Sequence, residues 1–154
     1  MSEREFFRHT IATLAYRGGK AIRGAPESFA TFDGAGKKPV DILAHIGDLL
    51  DWTLRMARGS KDWQISEPQS WELESQRFYS RLAELDRLLA SQEAVQAPLE
   101  RLFQGPIADA LTHVGQIAMM RRMAGSPTRG ENYFIAPIEA GRVSSEQVAA
   151  AKEF

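Results

Sequence analysis

Asp109, His113 and Gln116 stand four and three residues apart in the stretch Pro106-Ile-Ala-Asp-Ala-Leu-Thr-His-Val-Gly-Gln-Ile-Ala-Met-Met120. On a helix, such spacings put side chains on one face. The three form a single polar stripe on a segment that is otherwise apolar almost all round, the pattern of a helix buried among other helices. Burying a carboxylate and an imidazole without partners costs roughly 2 kcal/mol or more for each polar group, and far more for a charge. Partners are therefore expected. Asp-x-x-x-His sets an oxygen and a nitrogen donor side by side, which suits a divalent metal ion.

A third donor lies in the segment Ile42-Leu-Ala-His-Ile-Gly-Asp-Leu-Leu-Asp-Trp52, where His45 sits at the edge of an apolar face. Two histidines and one carboxylate from two helices, His45, Asp109 and His113, make a facial triad. Such a site keeps positions open for water or substrate, the mark of a catalytic rather than a structural metal. A ligating imidazole usually donates its other N–H to a carboxylate or carbonyl. Asp41 and Asp48, four residues before and three after His45, are the candidates, and Gln116 is placed to orient a water or a ligand. The alternative is plain: Asp109 and His113 as an i,i+4 ion pair worth about 0.2–0.5 kcal/mol if exposed, and His45 as a hydrogen-bonded core residue. His9 lies off the apolar stripe of its own segment and is expected at the surface.

The chain has no cysteine, so thiolate ligands, disulfides and a cysteine nucleophile are excluded. No Gly-x-Ser-x-Gly places a serine for attack, and no glycine-rich loop between strand and helix cradles phosphate. With 19 basic against 20 acidic residues the net charge is -1, which argues against a nucleic-acid partner. Arg121-Arg122, with Arg129 nearby, suits a helix C-terminus better than a phosphate patch. Met119, Met120 and Met123 at helical spacing read as core filler or pocket lining, and Trp52, Trp63 and Trp71 as large apolar groups first. No run approaches the roughly 18 apolar residues of a membrane span, and the start lacks the layout of a signal peptide. A soluble, cytoplasmic protein is the expectation.

The elements that must position these groups are helices. Periodicity predicts one over about Glu3–Lys20, with Phe7, Ile11 and Leu14 inward and Gly18-Gly19 weakening its end. A turn-rich loop follows. A second helix is predicted over about Pro39–Arg58, with Pro39 in its first turn and Ile42, Leu43, Ile46, Leu49, Leu50 and Thr53 as its core stripe. A third spans about Gln69–Ala90 on Trp71, Phe78, Leu82, Leu85 and Leu89, with charge opposite. A short piece near Pro98–Phe103 is broken by Gly105-Pro106, and a fourth long helix runs from about Pro106 to Ala124. The remainder is irregular around Tyr133-Phe134-Ile135, with a last short helix over Ser144–Lys152. The expectation is an all-α four-helix bundle in one domain, residues 1–154, with its core at about 5–125 and an irregular tail at 126–154.

The order of one histidine on the second helix, then an i,i+4 pair followed by Gly-Gln on the fourth, resembles the DinB-like superfamily of metal-binding four-helix bundles. The resemblance covers about residues 5–125. It implies a DinB/YfiT-like bundle with two long connections, up-down-down-up, and a divalent metal held by His45, Asp109 and His113. The family commonly shows three histidines. Asp109 in place of one leaves a 2-His-1-carboxylate set, which shifts preference toward harder ions such as iron, manganese or nickel, with zinc still in range. The resemblance further implies a metal-dependent S-transferase or isomerase-like enzyme acting with a small thiol, and a homodimer. Tyr133 and Phe134 would cap its pocket. A non-catalytic metal- or small-ligand-binding stress-response bundle is the alternative, and a purely structural dimer with a satisfied polar core is a third.

Overall fold

The computed structural model describes residues 1–34 and 36–154. Among them the regular structure is helical and no strand forms. Four long helices, α1 (Glu3–Ile22), α2 (Pro39–Ala57), α3 (Trp71–Ala90) and α5 (Ala108–Met123), make a helical bundle, with a short α4 (Leu99–Leu102) ahead of the last.

Local chemistry sets the helix ends. Ser2 and Glu5 form a reciprocal capping box at the start of α1: Ser2 Oγ accepts from the Glu5 amide (3.2 Å) and the Ser2 amide donates to Glu5 Oε2 (2.6 Å). Pro39 opens α2 where its missing N–H does no harm. The Ser70 hydroxyl accepts from the Leu73 amide at the start of α3 (3.2 Å). Gly59 and Gly125, with φ of 94° and 76°, take the left-handed turn that stops α2 and α5.

Each long helix packs against two others: α1 and α2 both lie against α3 and α5. The side-chain pairings give the directions. Arg8 near the start of α1 meets Asp86 near the end of α3, so these run antiparallel. Asp48 meets Arg77 and Arg58 meets Glu84, so α2 and α3 run parallel. His45 meets Asp109 while Ile42 shares a cleft with Met120, so α2 and α5 are antiparallel. Arg121 reaches the last carbonyls of α1, so α1 and α5 are parallel. Because α2 and α3 point the same way, the chain must return along the bundle between them. Residues 58–70 make that return; an extended chain of this length reaches roughly 40 Å against a helix of roughly 28 Å.

The predicted inward faces are the core. Phe7, Ile11 and Leu14, then Leu43, Ile46 and Leu50, then Phe78, Leu82, Leu85 and Leu89 are buried together with Leu102, Ile107, Ala110, Val114 and Ile117. Gly18-Gly19 does not weaken α1, which continues to Ile22. A Cβ on Gly18 would come within 2.5 Å of the Phe78 ring, so the glycine lets α1 and α3 close together.

Two further expectations are corrected. Gly105-Pro106 does not break the short piece off from the last long helix; a π-turn over Phe103–Ile107 carries the chain from α4 into α5 without an interruption. Ser144–Lys152 forms no helix. The tail is tied down instead by polar contacts. Lys20 Nζ binds Glu131 (2.8 Å) and Glu153 (2.9 Å), and the Asn132 amide donates to the Lys152 carbonyl (3.0 Å). Ala-rich composition favours a helix by only tenths of a kcal/mol per residue, less than such anchoring supplies.

Candidate metal centre

His45, Asp109 and His113 converge. His45 stands mid-way along α2, and Asp109 and His113 occupy successive turns of the antiparallel α5. Asp109 Oδ2 lies 3.6 Å from His45 Nε2, and Asp109 Oδ1 lies 3.3 Å from His113 Nε2. The two imidazoles meet edge to face with centroids 4.7 Å apart. One donor atom from each residue falls within 4.8 Å of the others. Around an ion with bonds of about 2.1 Å, ligand atoms lie roughly 3–4 Å apart. The two donor pairs through Asp109 already lie in that range.

The fourth predicted residue has a clear task. His113 Nδ1 is 2.8 Å from Gln116 Oε1, a hydrogen bond that holds the imidazole ring in place. The other ring nitrogen, Nε2, faces Asp109. Gln116 therefore orients the histidine, where the spacing suggested a bound water.

The burial premise is corrected. Asp109 keeps 47% of its side-chain surface and Gln116 is exposed, while His45 and His113 are half-buried. The stripe does not face a greasy interior: Asp109 is open to solvent, and His113 and Gln116 line a cleft of about 400 Å³. Apolar residues that line a cleft are indistinguishable in sequence from residues of a core. What carries the site is not desolvation but the meeting of three donors from two helices.

Asp48 is placed elsewhere. It is buried away from His45, accepting from Arg77 Nη1 (2.8 Å), the Ser66 hydroxyl (2.6 Å) and the Ser66 amide (3.1 Å). Asp41 lines the cleft but makes no hydrogen bond to His45 among the described residues. Tyr133 does not line this cleft either. It packs edge-on against Tyr16 and under the Arg17 guanidinium (4.1 Å), in a groove between α1 and α5. Phe134 is exposed. His9 is half-buried.

Spacing alone did not reveal two neighbours. Trp63, on the return segment 58–70, sets its ring edge-on to His45 with centroids 5.9 Å apart and against Trp52 at 5.3 Å. Its place follows from the parallel α2–α3 order, which forces that segment to pass α2. Lys37, from the loop before α2, lines the cleft, and nothing in the sequence pattern marks it.

The return segment is itself held by a buried ionic cluster. Arg77 Nη1 binds Asp48 (2.8 Å) and Asp51 (3.2 Å), its Nε binds Glu74 (2.9 Å), and its Nη2 donates to the Ala44 carbonyl (2.7 Å) and Ser66 Oγ (3.0 Å). Burial pulls the guanidinium pKa down, but the bonds to Asp48 and Glu74 outweigh it and leave the net shift upward. A Cβ on Gly47 would lie 2.5 Å from the Arg77 guanidinium carbon, so this glycine makes the room.

Arg121 is structural too. It is buried, and its Nη1 donates to the Ala21 (3.1 Å) and Arg23 (2.6 Å) carbonyls and its Nε to the Ser126 carbonyl (2.9 Å). Its charge is spent on the C-terminal carbonyls of α1 rather than on phosphate. No described helix is long and apolar enough to cross a membrane.

No family model, curated protein or solved structure matches the chain.

Proposed function

We propose that this chain is a DinB-like, divalent-metal-binding bundle that acts as a metal-dependent transferase with a small thiol as cosubstrate. The single observation that carries the proposal is the convergence of His45, Asp109 and His113 from two antiparallel helices, beside an open cleft that both histidines line. Two imidazole nitrogens and one carboxylate suit iron, manganese, nickel or zinc. The contacts between helices, which amount to an up-down-down-up order, favour the same reading.

When bound, a divalent ion supplies Lewis acidity and lowers the pKa of a thiol, the chemistry that thiolate attack on an electrophile needs. The chain's own groups do the rest. His45, Asp109 and His113 hold the ion and leave one side open. Gln116 fixes the His113 ring plane. Trp63 walls the centre on the His45 side, and the methionines of α5 wall the cleft beyond. With no cysteine in the chain, the thiol must come from solution. The reading carries a cytoplasmic setting and a homodimer. The groove lined by Met1, Phe6, Leu99 and Phe103 is an apolar surface open to a second copy.

The test is metal content by mass spectrometry on protein purified without an affinity tag, then incubated with nickel, zinc, iron or manganese. About one ion per chain is expected, and His45→Ala and His113→Ala should each lose it. Stoichiometric metal in His113→Ala overturns the ligand assignment. Turnover of electrophiles with a panel of small thiols then decides between catalysis and a binding bundle.

A further inference from the structure

The cleft has a second half that the metal centre does not use. From His113, α5 runs on through Gln116 to Met119, Met120 and Met123, and all five residues line the same cleft. Met119 and Met123 are 55% and 56% exposed, positions where a solvent-facing helix would carry polar residues. Ile42 continues the apolar wall from α2, and Gly34 closes it from the loop, packed so near Met120 that a Cβ would fall 2.5 Å from its methyl carbon. Three unbranched thioethers side by side make a deformable apolar surface that adapts to what it covers. Its length is set by the helix: ten residues from His113 to Met123 rise roughly 15 Å. The volume, about 400 Å³, is that of a small-molecule site.

Charge sorts the two ends. One carboxylate and two neutral imidazoles around a divalent ion leave net positive charge at the triad, so that end calls for an anionic, chelating group. Lys37 and Asp41 are the charged side chains along the wall, one of each sign, and they leave no net demand there.

We infer that the substrate recognised here is an amphiphile, with an anionic metal-binding head at His45, Asp109 and His113 and an apolar tail along Met119, Met120 and Met123. This substrate class rests on the metal reading above and adds to it which acceptors the site takes. A small polar electrophile would leave the methionine wall wet.

The experiment uses a hydroxamate series of increasing chain length, from acetohydroxamate to octanohydroxamate, titrated calorimetrically into the full chain loaded with zinc. Each methylene buried against the wall is worth about a fourfold gain in affinity, so the longest member should bind at least a hundredfold more tightly than the shortest. In Met119→Gln/Met123→Gln the gain per methylene should fall toward unity while acetohydroxamate binding is unchanged, and Met119→Leu/Met123→Leu should keep the gain. Circular dichroism verifies that both variants stay helical. A wild-type affinity independent of chain length, or a slope that survives the glutamines, overturns the inference. A parallel series of n-alkyl sulfonates on metal-free protein separates the two readings. Stoichiometric zinc without a chain-length slope leaves the metal centre and removes the substrate class; a sulfonate slope without bound zinc removes the metal centre and leaves the apolar wall.

Discussion

Replacing Arg77 with methionine should be the most damaging single change outside the candidate site. The substitution keeps an unbranched apolar stem and removes the charge. Asp48 and Glu74, with side chains 5% and 3% exposed, are then left as carboxylates with no cation. Asp51 is spared, because Arg81 Nε also binds it at 2.6 Å. Breaking a buried pair by removing one partner costs about 3–5 kcal/mol. For a chain of this size each kcal/mol moves the melting temperature by about 2–4 °C, so a fall of roughly 6–20 °C is expected. Urea and thermal melts followed by circular dichroism read both quantities. The loss should arise from uncompensated charge, not from lost packing. Arg77→Met combined with Asp48→Asn and Glu74→Gln should therefore recover at least half of it. A single-variant loss under about 1 kcal/mol, or no recovery in the triple variant, would refute the account of Arg77 as the cluster's compensating charge. Because Ser66 shares the cluster, the single variant should also loosen residues 58–70 and change the fluorescence of Trp63 beside His45.

The tail and the helix contacts offer further tests. Burial raises the Tyr16 pKa above its ordinary value, and the hydrogen bond to Glu131 (2.6 Å) adds to the rise. The folded state thus holds that proton more tightly than the unfolded chain. The associated stability is complete below pH of about 10 and is lost as pH climbs beyond it. Tyr16→Phe should cost about 1.5–3 kcal/mol at neutral pH, the value of a hydrogen bond to a charged group, and should flatten the alkaline decline seen in pH-dependent melts. Gly115→Ala should stabilise by about 0.5–1 kcal/mol, since its added methyl meets nothing within 4 Å in a helix interior. Gly18→Ala should instead destabilise, as overpacking against Phe78 costs about 1–3 kcal/mol. Equal effects at the two glycines would contradict the packing described for α1 and α3.

The helices were legible because apolar residues recur at helical spacing and because Pro39 marks the first turn of α2. Two of the wrong expectations have one origin. Gly18-Gly19 looks like a terminus and Ser144–Lys152 like a helix when only propensity is weighed, and in both places contacts from elsewhere decide: Phe78 at the first, Lys20 at the second. The pairing of Asp109 with His113 could be read from spacing, but the meeting of His45 with them could not, since it depends on how α2 and α5 cross. Asp48 looked equally suited to His45. Its capture by Arg77 depends on the parallel packing of α3, which no local pattern encodes. Burial of the polar stripe was overread because a methionine wall and a core look alike in one dimension.

The π-turn at Phe103–Ile107 ends two residues before Asp109. A π-turn closes its hydrogen bonds one residue later than an α-turn, and one residue on a helix is an angular step of about 100°. The turn is therefore an azimuthal dial for α5. Without its extra residue, every side chain downstream would swing by about that angle while the axis stayed in place. Asp109, His113 and Gln116 would then point away from α2, and Ala110 and Val114 would be turned out of the core. Pro106, which lacks an amide to donate, sits within the turn. The heading of Asp109 and His113 is thus decided by one irregular turn that contributes no donor of its own.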